Sequence, residues 1–82
     1  MKRNSFFRVR EFENKFYLFG NGHCFEINYI AKAIWVGLGK EMEIEEIADV
    51  IINKTNQKDK LLIINDINEF ISQLRKIGAI IE

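Results

Sequence analysis

The sequence has no proline, one cysteine and one histidine among its 82 residues. It also has no internal repeat and no low-complexity segment. The linkers between the predicted elements are short, so the helices are expected to fold back directly on the strands. The single cysteine, Cys24, excludes an intramolecular disulfide. A structural zinc site takes about four cysteine or histidine ligands, and the chain offers only Cys24 and His23. We therefore expect no disulfide, metal ion or other cofactor.

Long hydrophobic runs are missing as well. The N-terminal residues 1–8 include no apolar stretch of the length that a signal peptide needs, and the longest apolar runs, such as residues 61–64, are too short to cross a bilayer. These absences predict a cytoplasmic protein without a membrane span.

The chain carries no net charge, because twelve basic residues balance twelve acidic ones. No overall field therefore attracts it to nucleic acid or to an anionic membrane. The two parts of the chain differ, however. Residues 1–40 contain seven bases against three acids, and residues 41–82 contain five bases against nine acids. This distribution predicts a polarised molecule.

Hydrophobic residues are plentiful, at 48% of the chain, which is enough for a single compact domain over residues 1–82. Three short stretches with strand character, residues 6–10, 15–19 and 23–27, come first. They are separated by turn signals at residues 11–14 and 20–22. The pattern predicts a three-stranded antiparallel meander, in which Phe25 and Ile27 share one face and Cys24 and Glu26 share the other.

Three helical patterns follow the strands. The first runs from Tyr29 to Leu38 behind Asn28, a residue type that caps helix starts, and Gly39 is expected to end it in the left-handed conformation. The apolar stripe of the second helix consists of Ile44, Ile47, Ala48 and Ile51. The third helix extends from about residue 59 to residue 77, and its predicted buried seam consists of Ile63, Ile67, Phe70, Leu74 and Ile77. A short apolar tail, residues 79–81, is expected to pack beneath the sheet or to extend it.

This order of elements predicts an α+β fold with winged-helix-like (winged helix-turn-helix) character, a three-stranded antiparallel sheet followed by three helices. Little in it supports an enzyme. His23 and Cys24 are adjacent on a strand and therefore point to opposite faces, so they form neither a nucleophilic pair nor a shared metal site. The acidic residues of the second helix are typical of a solvated helix face.

A winged-helix outline also suggests a small nucleic-acid-binding regulator. Binding to a duplex depends on bases that neutralise phosphates, and here the second helix is acidic. Arg8, Arg10 and Lys15 on the strands are the residues available for such contacts. Nucleic-acid binding is thus the alternative function, and we expect no nucleic acid among the partners.

A strand at the edge of a sheet leaves backbone groups unpaired, and an added peptide strand satisfies them. The third predicted strand is a candidate edge. Beside the predicted seam of the third helix runs a row with two isoleucines, which either forms the second wall of a groove or merely widens the core. An edge of this kind also allows pairing with another copy, so both a monomer and a homodimer are consistent with the sequence. The predicted edge consists of His23, Cys24, Phe25, Glu26 and Ile27, and the predicted helix row of Ile64, Asn68, Ile71 and Arg75.

The junction between the third strand and the first helix, Ile27-Asn28-Tyr29-Ile30-Ala31-Lys32-Ala33-Ile34-Trp35, resembles that of PqqD-like proteins, also called RiPP recognition elements. Further points of similarity are the early strand pair, Glu45-Glu46-Ile47-Ala48, and Leu74 with Gly78. One departure is Glu43, where the family usually has threonine or serine to cap the second helix. Asn28 and Trp35 are assigned to the structure of this corner.

The resemblance implies a non-catalytic peptide chaperone, or adaptor, of natural product biosynthesis. Members of this family bind the leader segment of a ribosomally synthesised precursor between the third strand and the third helix and present it to a modifying enzyme. Implied enzyme partners are a radical S-adenosylmethionine maturase or a lasso-peptide protease and cyclase. Carried over by position, the peptide-binding residues are the edge and the helix row given above. On this assignment, Ile71→Asp is expected to abolish peptide binding without unfolding the domain.

Overall fold

The computed structural model describes residues 1–81, which form five strands and three helices. The order of elements is the one that the sequence predicts, with two additional short strands near the ends of the described chain. The elements are β1 (Lys2–Arg3), β2 (Arg8–Phe12), β3 (Lys15–Gly20), β4 (His23–Ile27), α1 (Tyr29–Gly39), α2 (Ile44–Thr55), α3 (Lys60–Lys76) and β5 (Ile80–Ile81).

The three-stranded sheet has the order β2-β3-β4, and both pairs are antiparallel. Its two hairpins turn at Glu13-Asn14 and Asn21-Gly22, where all four residues have positive φ. Two successive residues of positive φ give the backbone twist that antiparallel strands need, and asparagine and glycine tolerate it best. The predicted meander is confirmed.

The first strand of this sheet begins at Arg8, two residues later than predicted. The reason is a turn at Asn4. Its side-chain Oδ1 accepts a hydrogen bond from the Phe6 amide at 2.9 Å, and its carbonyl accepts one from the Phe7 amide at 3.0 Å. These bonds hold Phe6 and Phe7 in a turn instead of an extended strand.

The apolar tail, residues 79–81, does not extend the three-stranded sheet. It forms β5, which pairs with β1 in a separate two-stranded antiparallel sheet, with Arg3 opposite Ile80. Asn4 extends the contact, since its amide donates to the Ala79 carbonyl at 2.8 Å and its side chain donates to the Gly78 carbonyl at 2.9 Å. The start and the end of the described chain therefore lie side by side.

Polar side chains begin each helix. Asn28 Oδ1 accepts a hydrogen bond from the Ala31 amide at 2.8 Å, as the sequence predicts, and Asp59 Oδ1 accepts one from the Leu62 amide at 3.1 Å. At α2 the side chain inside the helix caps the residue before it: Glu46 Oε1 accepts a hydrogen bond from the backbone amide of Glu43 at 2.8 Å. This bond compensates for the missing threonine or serine at position 43.

The end of α1 differs from the prediction, because Glu41 rather than Gly39 has the left-handed conformation. Glycine at position 39 makes room for Arg3, whose guanidinium occupies the space that a Cβ would need. The same guanidinium lies 4.9 Å from the Trp35 ring centroid and donates to the Trp35 carbonyl at 3.4 Å. Arg3 thus attaches β1 to α1.

One buried cluster joins the sheet, the three helices and β5. Leu18 in the middle of β3 contributes the sheet's most buried side chain, while α3 contributes four residues at helical spacing. The buried residues are Phe7, Leu18, Ile34, Trp35, Leu38, Ile47, Ala48, Ile51, Ile63, Ile67, Ile71, Leu74, Ala79 and Ile80.

Two glycine substitutions test this packing. A methyl group at Gly20 comes within 2.8 Å of the Phe7 Cα, which is backbone, whereas one at Gly39 meets only side-chain atoms at the end of Arg3, which can turn aside. Gly20→Ala is therefore expected to lower the free energy of unfolding by about 1–3 kcal/mol. Gly39→Ala should change it far less, because alanine is a better helix former by about 1 kcal/mol and offsets the displacement of Arg3. Urea denaturation of both variants measures the difference, and equal losses would contradict this account.

Candidate functional site

A cavity of about 390 Å³ lies beside β4, between the sheet, the start of α1 and the C-terminal half of α3. Its walls are mainly apolar, and its polar lining residues are Glu26 of β4, Asn28 at the start of α1 and Gln73 of α3. The lining residues are Leu18, Phe25, Glu26, Ile27, Asn28, Ala31, Phe70, Gln73, Leu74 and Ile77.

β4 is an edge strand, because it pairs with β3 on one side and with no other strand among residues 1–81. Its outer backbone groups are therefore available for hydrogen bonding to an added strand. Phe25 stands opposite Leu18 in the register and faces the cavity with 41% of its surface exposed. β2 is the other edge of this sheet. No residue of β2 lines the cavity.

A second cavity, of about 240 Å³, continues from the first between α1 and α3. The two share Asn28, Ala31, Phe70 and Gln73, so they form one continuous depression that we call the β4–α3 groove. The second cavity adds Asp66 and Glu69 of α3 to the lining. The groove is thus apolar beside β4 and acidic towards the N-terminal half of α3.

A larger cavity, of about 550 Å³, is found elsewhere, between Met1, Leu38 and residues 41–45. It contains none of the site residues predicted from the sequence. Three glutamates, Glu41, Glu43 and Glu45, line it, and its wall includes the first residue of the chain. The β4–α3 groove is the better candidate site because it combines an apolar surface with a free strand edge.

The structure brings part of the predicted edge to the groove. Phe25, Glu26 and Ile27 line it, whereas His23 and Cys24 do not. The His23 ring is stacked against Phe25, with centroids 5.7 Å apart, and against Phe7, at 6.4 Å. Cys24 is exposed and pairs with Phe19, so it belongs to the opposite face of the sheet.

The predicted helix row does not reach the groove. Ile71 is only 2% exposed and belongs to the core, and Ile64 is half-buried against it. Asn68 and Arg75 are exposed but line neither cavity. Because successive helical residues are about 100° apart, this row lies on one side of the buried stripe and the groove lies on the other. The residues that α3 and its C-terminal cap contribute to the apolar cavity are Phe70, Gln73, Leu74 and Ile77.

The sequence did signal three of these residues. Phe70, Leu74 and Ile77 belong to the predicted seam of the third helix. Leu74 is buried, but Phe70 and Ile77 are only half-buried and border the groove. Gln73 had no such signal, since a polar residue beside a helical stripe is usually solvated.

None of the helices within residues 1–81 is long and apolar enough to cross a membrane. Over the same residues, no three histidine, cysteine, aspartate or glutamate side chains are grouped as metal ligands would be.

A winged-helix-like α+β domain with a free strand edge beside a helix-walled groove is the class of protein that these features define. The family model of coenzyme PQQ synthesis protein D (PqqD) matches residues 13–80, which is most of the chain. The protein belongs to the PqqD family.

Among solved structures, TbiB1 in complex with the TbiA(beta) leader peptide is similar to this chain, with a TM-score of 0.80. The similarity covers 96% of this chain and 93% of TbiB1, at 21% sequence identity. It confirms the predicted fold class. A search of curated proteins finds no match.

Proposed function

We propose that this protein is a non-catalytic adaptor that binds the leader segment of a ribosomally synthesised precursor peptide. The observation that carries the proposal is the free edge of β4 beside the apolar part of the β4–α3 groove. An extended peptide satisfies the edge's backbone groups by strand addition, and its alternate side chains enter the groove. The leader-peptide complex of TbiB1, which has the same fold, supports this assignment.

The adaptor then presents the bound precursor to a modifying enzyme, such as a radical S-adenosylmethionine maturase or a lasso-peptide protease and cyclase, in the cytoplasm. Membership of the PqqD family supports this role. The peptide-contacting residues proposed from the structure are Phe25, Glu26, Ile27, Phe70 and Gln73, to which Leu74 and Ile77 add apolar surface.

The groove argues against nucleic acid as its ligand. The carboxylates that line it, those of Asp66 and Glu69, repel a phosphate backbone. The strand bases Arg8 and Arg10 pair with Phe19 and Tyr17, which places them on the face of the sheet away from the groove.

The test uses a fluorescently labelled leader peptide from a precursor encoded beside this gene, titrated with the protein and followed by anisotropy. We expect a dissociation constant in the micromolar range or below. N-methylation of single peptide amides should weaken binding about tenfold at every second position of the paired segment, because only alternate amides of an edge pair point at the partner strand.

Methylation at the intervening positions is the control, since those amides point away from β4. Binding that is equally sensitive at all positions would contradict strand addition. No binding of any neighbouring leader peptide would contradict the proposed function itself.

A further inference from the structure

The charged residues that line the β4–α3 groove all have the same sign. Asp66 and Glu69 line the second cavity, and neither cavity's lining includes a lysine or an arginine. Glu26 also borders the apolar cavity, but it pairs with Tyr17, so its side chain belongs to the opposite face of the sheet. The ion pair that the structure shows within residues 1–81 joins Lys60 to Asp49, at 3.1 Å, outside the groove. The carboxylates of Asp66 and Glu69 have no ion-pair partner over that part of the chain.

Basic residues near the groove are directed elsewhere. Lys32 of α1 lies over the rings of Phe16 and Tyr29, with its Nζ at 5.4 and 5.8 Å from their centroids. Arg75 and Lys76, at the end of α3, line neither cavity. The groove thus offers a bound peptide an acidic lining that the protein itself does not neutralise.

The acidic and the apolar parts are separated along α3. Asp66 and Glu69 precede Leu74 and Ile77 by eight residues each, a helical distance of about 12 Å at 1.5 Å per residue. An extended peptide covers that distance in about four residues, at about 3.3 Å each. Side chains that reach inward from both ends shorten the separation, so two to four peptide residues fit between the two parts.

Resting on the proposed function, we infer that the ligand of this groove is an extended peptide segment with a large apolar residue and a lysine or arginine two to four residues from it. The apolar side chain occupies the cavity between Phe25 and Leu74. The basic side chain lies against Asp66 and Glu69. Because both carboxylates are exposed, the charge pairing mainly discriminates between peptides and contributes modestly to affinity.

The experiment selects binders from a random twelve-residue peptide library displayed on phage, using the wild-type protein and two variants. Gln73→Trp fills the apolar part of the groove, and the double variant Asp66→Asn/Glu69→Gln removes two charges at constant shape. Wild-type protein is expected to enrich peptides that pair a large apolar residue with a lysine or arginine at the stated spacing. The double variant should keep the apolar preference and lose the basic one.

Synthetic versions of the selected peptides then give affinities. The double variant is expected to bind them about three- to tenfold more weakly than wild type, with a smaller difference at high salt. In the charge-reversed variant Asp66→Lys/Glu69→Lys, peptides with glutamate in place of the basic residue should bind better than the originals.

The outcomes separate the two claims. The selected peptides could lose binding to Gln73→Trp and yet show no enrichment of lysine or arginine. That outcome would overturn this inference and leave the proposed function standing. If the wild-type protein and Gln73→Trp selected the same peptides, binding would not involve the groove. That outcome would overturn both this inference and the proposed function.

Discussion

Replacing Ile71 by aspartate is expected to unfold the domain, not merely to block peptide binding. Ile71 is 2% exposed within the main core cluster. Truncating a buried isoleucine costs about 2–5 kcal/mol, and an unpaired buried carboxylate adds several more. Domains of this kind have about 5–15 kcal/mol of stability in total, and small ones lie at the lower end. Circular dichroism should therefore show no cooperative thermal transition for Ile71→Asp.

Asn68→Asp provides the matched control, since it places the same new charge one turn earlier on α3 at an exposed position. It should melt within a few degrees of wild type. A cooperative transition of Ile71→Asp near that of the control would show that the side chain is not in the core. The result would then agree with the prediction made from the sequence, that Ile71→Asp abolishes binding in a folded protein.

Filling the groove with Gln73→Trp is expected to weaken leader-peptide binding about a hundredfold or more while leaving the domain folded. Gln73 is exposed and lines both cavities, so a large side chain there occupies the peptide's space without entering the core. A hundredfold loss corresponds to about 2.7 kcal/mol, comparable to burying one large apolar side chain. Fluorescence anisotropy measures the affinity, and a thermal melt verifies folding.

The matched control is Asn68→Trp, the same substitution on the other side of the buried stripe of α3. It should bind the peptide as wild type does. This pair of variants also decides between the helix row predicted from the sequence and the residues that line the groove. If Asn68→Trp abolished binding and Gln73→Trp did not, the peptide would lie along the predicted row.

Much of the fold follows from local sequence signals. The extent of β4 and the start of α1 are as predicted, because Asn28 is both the end of an alternating pattern and a helix cap. The hairpin at Asn21-Gly22 is equally local. In each case the decisive interaction joins residues close in sequence, so the pattern alone is informative.

The helix wall of the groove could not be assigned in this way. The apolar stripe of α3 is wide enough to include both half-buried Phe70 and buried Ile71, which are adjacent in sequence and therefore about 100° apart around the helix. Periodicity identifies the stripe but does not tell which margin faces β4 and which faces the rest of the helices. That depends on how the connections orient α3 against the sheet, which is a tertiary property.

The β1–β5 pair was missed for a related reason. Each strand has two residues, and its partner lies at the other end of the described chain. Neither alternation nor a turn signal exists in so short a segment. Its stability comes from Asn4 and from the contact of Arg3 with Trp35, which join residues far apart in sequence.

The two walls of the β4–α3 groove come from distant parts of the chain, since Phe25 belongs to the sheet and Leu74 to the last helix. The unfolded chain therefore has no binding site, and any ligand of the groove is thermodynamically linked to folding. A peptide present at a hundred times its dissociation constant adds about 2.7 kcal/mol to the free energy of unfolding. For a domain of this size that is a substantial fraction of the total. The resistance of the protein to unfolding and proteolysis would then depend on the supply of its precursor.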